Sequence, residues 1–352
     1  MPRSSQKDKK FERYELSRSP FAQKPTQRDV AKLLGEKRDD LRRLVNYKEQ
    51  FIVRRQAKTG KKEKLRDLAY PENRLRAVHE RLKFHLNKIK QPNYLFSPRR
   101  KRGQRDNAAH HLDQDQFLTL DLKQFYPSTT DKMVRRWFRD ELGMMDDVAG
   151  LLMHLCTIDG RVSFGSPLTP VLCSLIHRPM FDRIAEVCDT YGLQYSVWVD
   201  DLTISGRFVP GDVLNKIRQI VHAAGLKMHD IKFRSGNRPV FITGIGVVGA
   251  NLVAPNSLHI KIRDCWTEYH SAITADEKDA VSQQLLSHLG TLRHITGSSS
   301  EAGRKAADQM NSLRQERDAR RKAEQKCRQA ERNARASVEI FDLSDAPFEM
   351  TL

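Results

Sequence analysis

The chain predicts an α+β protein, in which short β-prone runs carry acidic residues and longer amphipathic helices surround them. Two observations carry this expectation. The stretch Tyr195-Ser-Val-Trp-Val-Asp-Asp-Leu-Thr-Ile-Ser-Gly206 sets two β-prone runs on either side of the adjacent acids Asp200 and Asp201, and so reads as a hairpin with both acids at its tip. Around it, residues 30–45, 75–89, 213–221 and 281–292 repeat apolar side chains three and four apart, the spacing of a helix with one buried face. Composition narrows the class of partner. A formal net charge of +18 and a pI near 9.8 in 352 residues are the footprint of a protein that neutralises phosphates. No apolar run approaches the ~18–20 residues that cross a bilayer, and the first twenty residues lack the apolar core of a signal peptide. A cytoplasmic protein without a membrane partner is expected. Its five cysteines are scattered without a Cys-x-x-Cys pair, which suits reduced thiols.

Taken in order, residues 1–27 are polar and basic with few apolar side chains, and are expected to form a flexible basic arm. Asp29 is a candidate N-cap for a helical region reaching Val45. Phe51-Ile-Val-Arg-Arg and residues 63–68 read as two strands joined by a basic turn at 58–62. A helix over 73–90 is stopped by Pro92. The cluster Arg99-Arg-Lys-Arg102 would most simply contact phosphate. In Asn107-Ala-Ala-His-His111, local hydrogen bonding that shapes a loop and contact with a ligand are both open.

The run Phe117-Leu-Thr-Leu-Asp-Leu-Lys-Gln-Phe-Tyr-Pro127 reads as an apolar strand that delivers Asp121, followed by two aromatics. Helices are expected over 131–142, 148–157 and 210–225, and a strand over 226–233 carrying Lys232. The β-rich stretch 239–248 and a helical region over 258–294 follow. Residues 301–336 are charged and Ala-rich, with a stripe of small and apolar residues from Ala306 to Ala334 that looks too thin to hold a helix in a core. Ending the chain at Ser300 is therefore expected to leave the basal activity of the rest largely intact and to weaken assembly with its partners. Residues 337–352 hold four acids and no Lys or Arg.

Two adjacent carboxylates repel, so Asp200 and Asp201 either form an ordinary solvated turn or are held by a cation. A hard divalent ion such as Mg²⁺ suits carboxylate oxygens, with waters and substrate phosphates as its other ligands. If folding brings Asp121 to the hairpin, the three acids have the composition of a two-metal nucleotidyl-transfer site.

At this point the sequence resembles a known family. The stretch 117–127, the stretch Phe164-Gly-Ser-Pro-Leu-Thr-Pro-Val-Leu-Cys-Ser-Leu175 and the acidic hairpin resemble motifs A, B and C of reverse transcriptases. Asn107-Ala-x-x-His111 and Ile242-Thr-Gly244 resemble signatures of the retron type. The resemblance covers about residues 30–295. It implies a right-hand polymerase fold: fingers over 28–115, a ferredoxin-like palm over 116–257 with a helical fingers insertion near 131–160, and a helical thumb over 258–297. The basic arm 1–27 would precede these, and a charged helical extension with an acidic tail, 298–352, would follow.

The resemblance also implies roles. Asp121, the backbone carbonyl of Leu122, Asp200 and Asp201 would hold two Mg²⁺ ions, with Mn²⁺ as the alternative metal, and Lys232 would assist the leaving pyrophosphate. Arg54, Lys64 and Arg66 would meet the triphosphate of a dNTP, Tyr126 would face the sugar 2′ position, and Gly165 would let the backbone approach the template–nucleotide pair. Asn107, His111, Thr243 and Gly244 would contact a cognate non-coding RNA. The implied activity is RNA-directed DNA synthesis that starts from a 2′-hydroxyl and yields a branched RNA–DNA product (msDNA), in anti-phage defence with a partner effector protein. Other bacterial reverse transcriptases, of group II intron or diversity-generating type, and a non-catalytic RNA-binding scaffold are the alternatives. Two departures stand out: Phe164 replaces the family's Gln, and Trp198 replaces its Tyr.

Overall fold

The structure, a computed structural model, describes residues 12–59, 64–235 and 238–342; side chains are described for 12–57, 67–235 and 238–334. The fingers-type turn, the side chains of Lys64 and Arg66, and the acidic tail beyond 342 lie outside these. The chain divides into two compact units, Met1–Thr243 with Val247–Ala250 and Gly244–Gly246 with Asn251–Leu352.

In the first unit, residues 12–27 are packed where a flexible arm over 1–27 was expected; residues 1–11 lie outside the described residues. Phe21 is fully buried, Ser19 caps the turn that carries it, and Tyr14 donates its hydroxyl to the His85 carbonyl at 2.7 Å. One aromatic inserted into a core is enough to order a short polar segment, and composition averages hide it. The first helical region is two helices, α1 (Gln27–Leu33) and α2 (Arg38–Asn46). Thr26, not Asp29, is the N-cap of α1; Asp29 is the third helical residue and completes a capping box with it. Strands β1 (Ile52–Thr59) and β2 (Lys64–Pro71) pair antiparallel, and α3 (Asn73–Leu86) follows.

The central sheet begins with β3 (Leu95–Ser97) and, after the short helix α4 (Gln104–Ala109), continues with β4 (Gln116–Leu122). The chain then crosses over through five α-helices, α5 (Phe125–Ser128), α6 (Asp131–Arg136), α7 (Asp146–Cys156), α8 (Thr169–Ile176) and α9 (Arg178–Thr190), with a π-helical segment, Trp137–Glu141, directly after α6. The hairpin of β5 (Gln194–Trp198) and β6 (Asp201–Gly206) leads through α10 (Gly211–Ala223) to β7 (Met228–Ser235). The strand order is β3-β5-β6-β4-β7, and β4 to β7 pair antiparallel in the ferredoxin-like order, with helices in both crossovers. Every residue of β6 after Asp201 is buried, as expected of an interior strand covered on both faces. Its apolar side chains join those of α3, α7, α8, α9 and α10 in one continuous core.

Strands β8 (Val240–Ile242), β9 (Ile245–Val248) and β10 (Asn251–Val253) follow, and the boundary between units falls at β9. The second unit holds α11 (Asn256–Ser271), α12 (Ala275–Thr296) and α13 (Glu301–Asp342). The stripe expected to be too thin for a core does pack at its start: Ala306, Met310 and Leu313 are buried. The Cβ position of Gly290, were one present, would lie 3.8 Å from Met310 Cε, so the missing side chain on α12 makes room for that methionine. Polar contacts extend the seam. Tyr269 donates to Glu316 at 2.6 Å, and Arg320 reaches Asp279 at 3.0 Å and the Tyr269 hydroxyl at 2.9 Å. From Arg321 to Ala334 every side chain is exposed. Among the described residues, no helix is long and apolar enough to cross a membrane.

Candidate active site

Folding gathers the three acids at one end of the central sheet. Asp121 and Asp201 face each other across β4 and β6, and the Leu122 amide donates to the Asp200 carbonyl at 3.0 Å, which ties the end of β4 to the hairpin tip. The tip differs from the sequence reading. The two turn residues are Val199 and Asp200, while Asp201 already opens β6 opposite Trp198. The simple alternation that would place Trp198 on the face of Asp200 is broken by Val199, whose φ is +62°. A β-branched residue in this region costs on the order of 1–3 kcal/mol and persists only where the surroundings hold it, as they tend to at functional sites.

The acids feel one another. The Asp201 carboxyl is pushed up to about 6, first by lost solvation and then by the charges of Asp200 and Asp121, while Lys232 acts in the opposite direction. Lys232 lies on β7 opposite Thr119 of β4 and pairs with Asp230. The position expected from the sequence therefore does put this ammonium within electrostatic reach of the acids. The donor set is that of a hard cation, and a cation there would relieve the repulsion. Among the described residues, no group of three or more His, Cys, Asp or Glu side chains is arranged so that it could hold a metal ion.

Beside them lies a cleft of about 960 Å³, whose lining includes Asp121, Asp200, Tyr126 and Phe164, the arginines Arg54, Arg55 and Arg161, and two more acids, Asp67 and Asp159. Arg54 is thus on the wall, where it forms a paired fork with Asp159 at 2.6 and 3.0 Å and also reaches Glu49 at 3.0 Å. These are exposed ion pairs, worth only ~0–1 kcal/mol each, so an anion can compete for the guanidinium. The sequence reading missed Arg55 and Arg161. The first is one of several basic residues on a hairpin, and nothing local to Arg161 marks it. Tyr126 is half-buried, its hydroxyl pK raised by burial and by the neighbouring Cys173 and Asp200. Phe125 is core, as its place in the motif suggested.

Other expected positions fall differently. Gly165 has φ +87°, and a Cβ there would lie 3.0 Å from Tyr70 Cβ, so the close approach it permits is to the Tyr70 side chain. Asn107 is buried, and its side-chain oxygen has no hydrogen-bond partner among the described residues. His111 is fully buried between β5 and β6, with Nδ1 2.7 Å from Ser205 Oγ and Nε2 2.7 Å from Ser196 Oγ. Neither residue presents surface, and neither shapes a loop by local hydrogen bonds: Asn107 lies in α4, and His111 bonds to serines far along the chain. Thr243 and Gly244 form the two-residue turn between β8 and β9, with φ of +48° and +88°.

Two further buried histidines hold the site and were not anticipated. His79 on α3 lies 2.7 Å from both the Leu155 carbonyl and Ser166 Oγ. A carbonyl only accepts, so Nε2 carries the proton and Nδ1 accepts from the Ser166 hydroxyl. His177 lies 2.9 Å from Thr129 Oγ1, which itself donates to the Phe125 carbonyl at 3.1 Å. Burial lowers His79 and His177 to about 4 and His111 to about 3. Each is neutral in the folded protein, whereas an exposed imidazole in the unfolded chain takes a proton near 6.5. The stability they contribute is therefore complete above pH 6.5 and is lost as pH falls toward 4, at about 2 kcal/mol per histidine by pH 5. Asp201, with its raised pK, works in the opposite sense. Urea unfolding at pH 7 and pH 5 should show a clearly lower midpoint at pH 5; an unchanged midpoint would mean that these imidazoles are not held neutral.

An acidic sheet end beside a cleft that carries three arginines has residue types that a phosphoryl-transfer site uses. The relatives are narrower. The chain is 26% identical to the Retron Se72 reverse transcriptase of Salmonella heidelberg (strain 579083-10) over 195 residues, 55% of this chain and 52% of that protein. It is 27% identical to the Retron Ec86 reverse transcriptase of Escherichia coli over 151 residues, 43% and 47% of the two chains. With the Retron Mx65 reverse transcriptase of Myxococcus xanthus it shares 30% identity over 205 residues, 51% and 47%. The chain thus matches about half the length of these relatives. No protein-family model matches it. The similarity to retron reverse transcriptases that the short motifs carry extends over long stretches of the chain.

Proposed function

We propose that this protein is an RNA-directed DNA polymerase of the retron type, built as a right hand in which the central sheet is the palm, β1 and β2 belong to the fingers, and α11 and α12 to the thumb. The observation that carries this reading is the meeting of Asp121 with Asp200 and Asp201 beside a cleft that carries Arg54, Arg55 and Arg161. Asp121, Asp200, Asp201 and the Leu122 carbonyl would hold two Mg²⁺ ions, which activate the attacking hydroxyl and stabilise the leaving oxygen when bound. The arginines bind and orient the triphosphate of a dNTP, and Tyr126 stands where a sugar would lie. Lys232 supplies positive charge toward the leaving pyrophosphate.

The template is a cognate structured non-coding RNA, reverse-transcribed into a branched RNA–DNA, and the strong positive charge supports binding of both. A cytoplasmic role in anti-phage defence with an effector protein belongs to the same proposal. The test is the nucleic acid that co-purifies with the protein. One species sensitive to both ribonuclease and deoxyribonuclease is expected; RNA alone, from cells shown to hold dNTPs and Mg²⁺, would favour a non-catalytic scaffold.

A further inference from the structure

Phe164 stands where the family resemblance leads one to expect a polar Gln, and the structure gives this departure a local context. The loop that carries it is pinned on both sides. Val162 donates its amide to the Thr129 carbonyl at 2.9 Å, and the Ser163 carbonyl accepts from Thr169 Oγ1 at 2.7 Å. After Phe164, Gly165 lies against Tyr70, and Ser166 is held by His79 while accepting the Leu168 amide at 3.2 Å. The Phe164 ring meets the Tyr126 ring edge-on, with centroids 5.5 Å apart and planes at 65°. On its other side Tyr126 contacts the buried Phe125, at 5.7 Å. Tyr126 sits on the four-residue helix α5, so its own backbone offers its ring little support. Both Tyr126 and Phe164 line the cleft with Asp121 and Asp200.

We propose that Phe164 is a specificity-determining positioning residue: its ring braces Tyr126, and the two form one aromatic wall that excludes the 2′-hydroxyl of an incoming ribonucleotide. This rests on the polymerase reading above. A 2′-hydroxyl entering the site needs room, and a braced aromatic ring occupies it. Bracing matters because bulk excludes only while it stays in place; a tyrosine free to rotate away would admit the hydroxyl it blocks on average. Selectivity of this protein then resides in the pair and not in Tyr126 alone.

The test is single-nucleotide extension of a primer on an RNA template with Mg²⁺, comparing dGTP with GTP for the unsubstituted protein, Tyr126→Ala, Phe164→Ala, Phe164→Gln, Phe164→Tyr and the double Tyr126→Ala/Phe164→Ala. The readout is the ratio of kcat/KM for the two nucleotides, which does not depend on the fraction of protein that is folded. Phe164→Ala and Phe164→Gln should each lower the deoxy preference about tenfold, chiefly through a lower KM for GTP, while Phe164→Tyr, which keeps the ring, stays within about twofold. The double variant should lose no more than Tyr126→Ala does, because the two act as a unit. If Tyr126→Ala loses discrimination while Phe164→Ala keeps it, or if the two losses multiply in the double variant, the brace is overturned and the polymerase reading stands. Failure of the unsubstituted protein to extend any primer overturns that reading and the proposal with it.

Discussion

Asp200→Asn is expected to lower DNA synthesis by about 10³-fold or more, on the scale of losing one preorganised electrostatic group, while binding of structured RNA persists. The substitution leaves the backbone carbonyl that accepts the Leu122 amide, so β4 and the hairpin stay joined. It removes one of the three carboxylate charges that raise Asp201, those of Asp200, Asp121 and Asp230, and should therefore bring the Asp201 pK down, while lost solvation still holds it up. RNA binding depends on the summed positive charge of the surface and not on this carboxylate. Primer extension with Mg²⁺ and an RNA-binding titration at fixed salt separate the two effects. Undiminished extension would remove Asp200 from the reaction and with it the metal assignment.

Ending the chain at Ser300 is expected to unfold much of the second unit, whereas ending it after Arg321 should leave that unit standing. The sequence alone suggests the opposite for Ser300. In the structure, removing α13 strips the cover formed by Ala306, Met310 and Leu313 and deletes the Glu316 and Arg320 contacts to Tyr269 and Asp279. Burying a Leu or Met is worth ~1.5–3 kcal/mol, so the loss is on the order of 5 kcal/mol, comparable to the whole stability of a small helical unit. Beyond Arg321 the described side chains are all exposed, and nothing comparable is lost. Circular dichroism and thermal melting of the two truncated proteins measure this. Equal melting behaviour would show that the seam between α12 and α13 contributes little.

Much of the site is legible before folding, because the chemistry requires particular residue types in short local strings. Asp121 at the end of an apolar run, Lys232 on a later strand and Tyr126 after β4 sit where strand signals put them, and the acidic hairpin forms, although its turn residues are Val199 and Asp200 and Asp201 opens β6. The alternation of β4 and the apolar run of β6 likewise announce the sheet, since a strand's faces are written in its own neighbours. Reading fails where partners come from far along the chain. Asn107 and His111 have the look of a recognition string, yet only the arrival of Ser196 and Ser205 on the β5–β6 hairpin makes His111 an interior residue.

The same holds for His79, which looks like one more residue of a helical stripe until Leu155 and Ser166 reach it. Phe21 and Leu313 sit in segments too polar on average to suggest burial, and were buried because one side chain met a surface formed by others. Local sequence thus determined which elements form and which acids they carry, since propensity, capping and periodicity act within a few residues. Which of those side chains became core, cleft wall or brace was decided only by tertiary structure, because burial and hydrogen-bond pairing depend on neighbours that no local window contains.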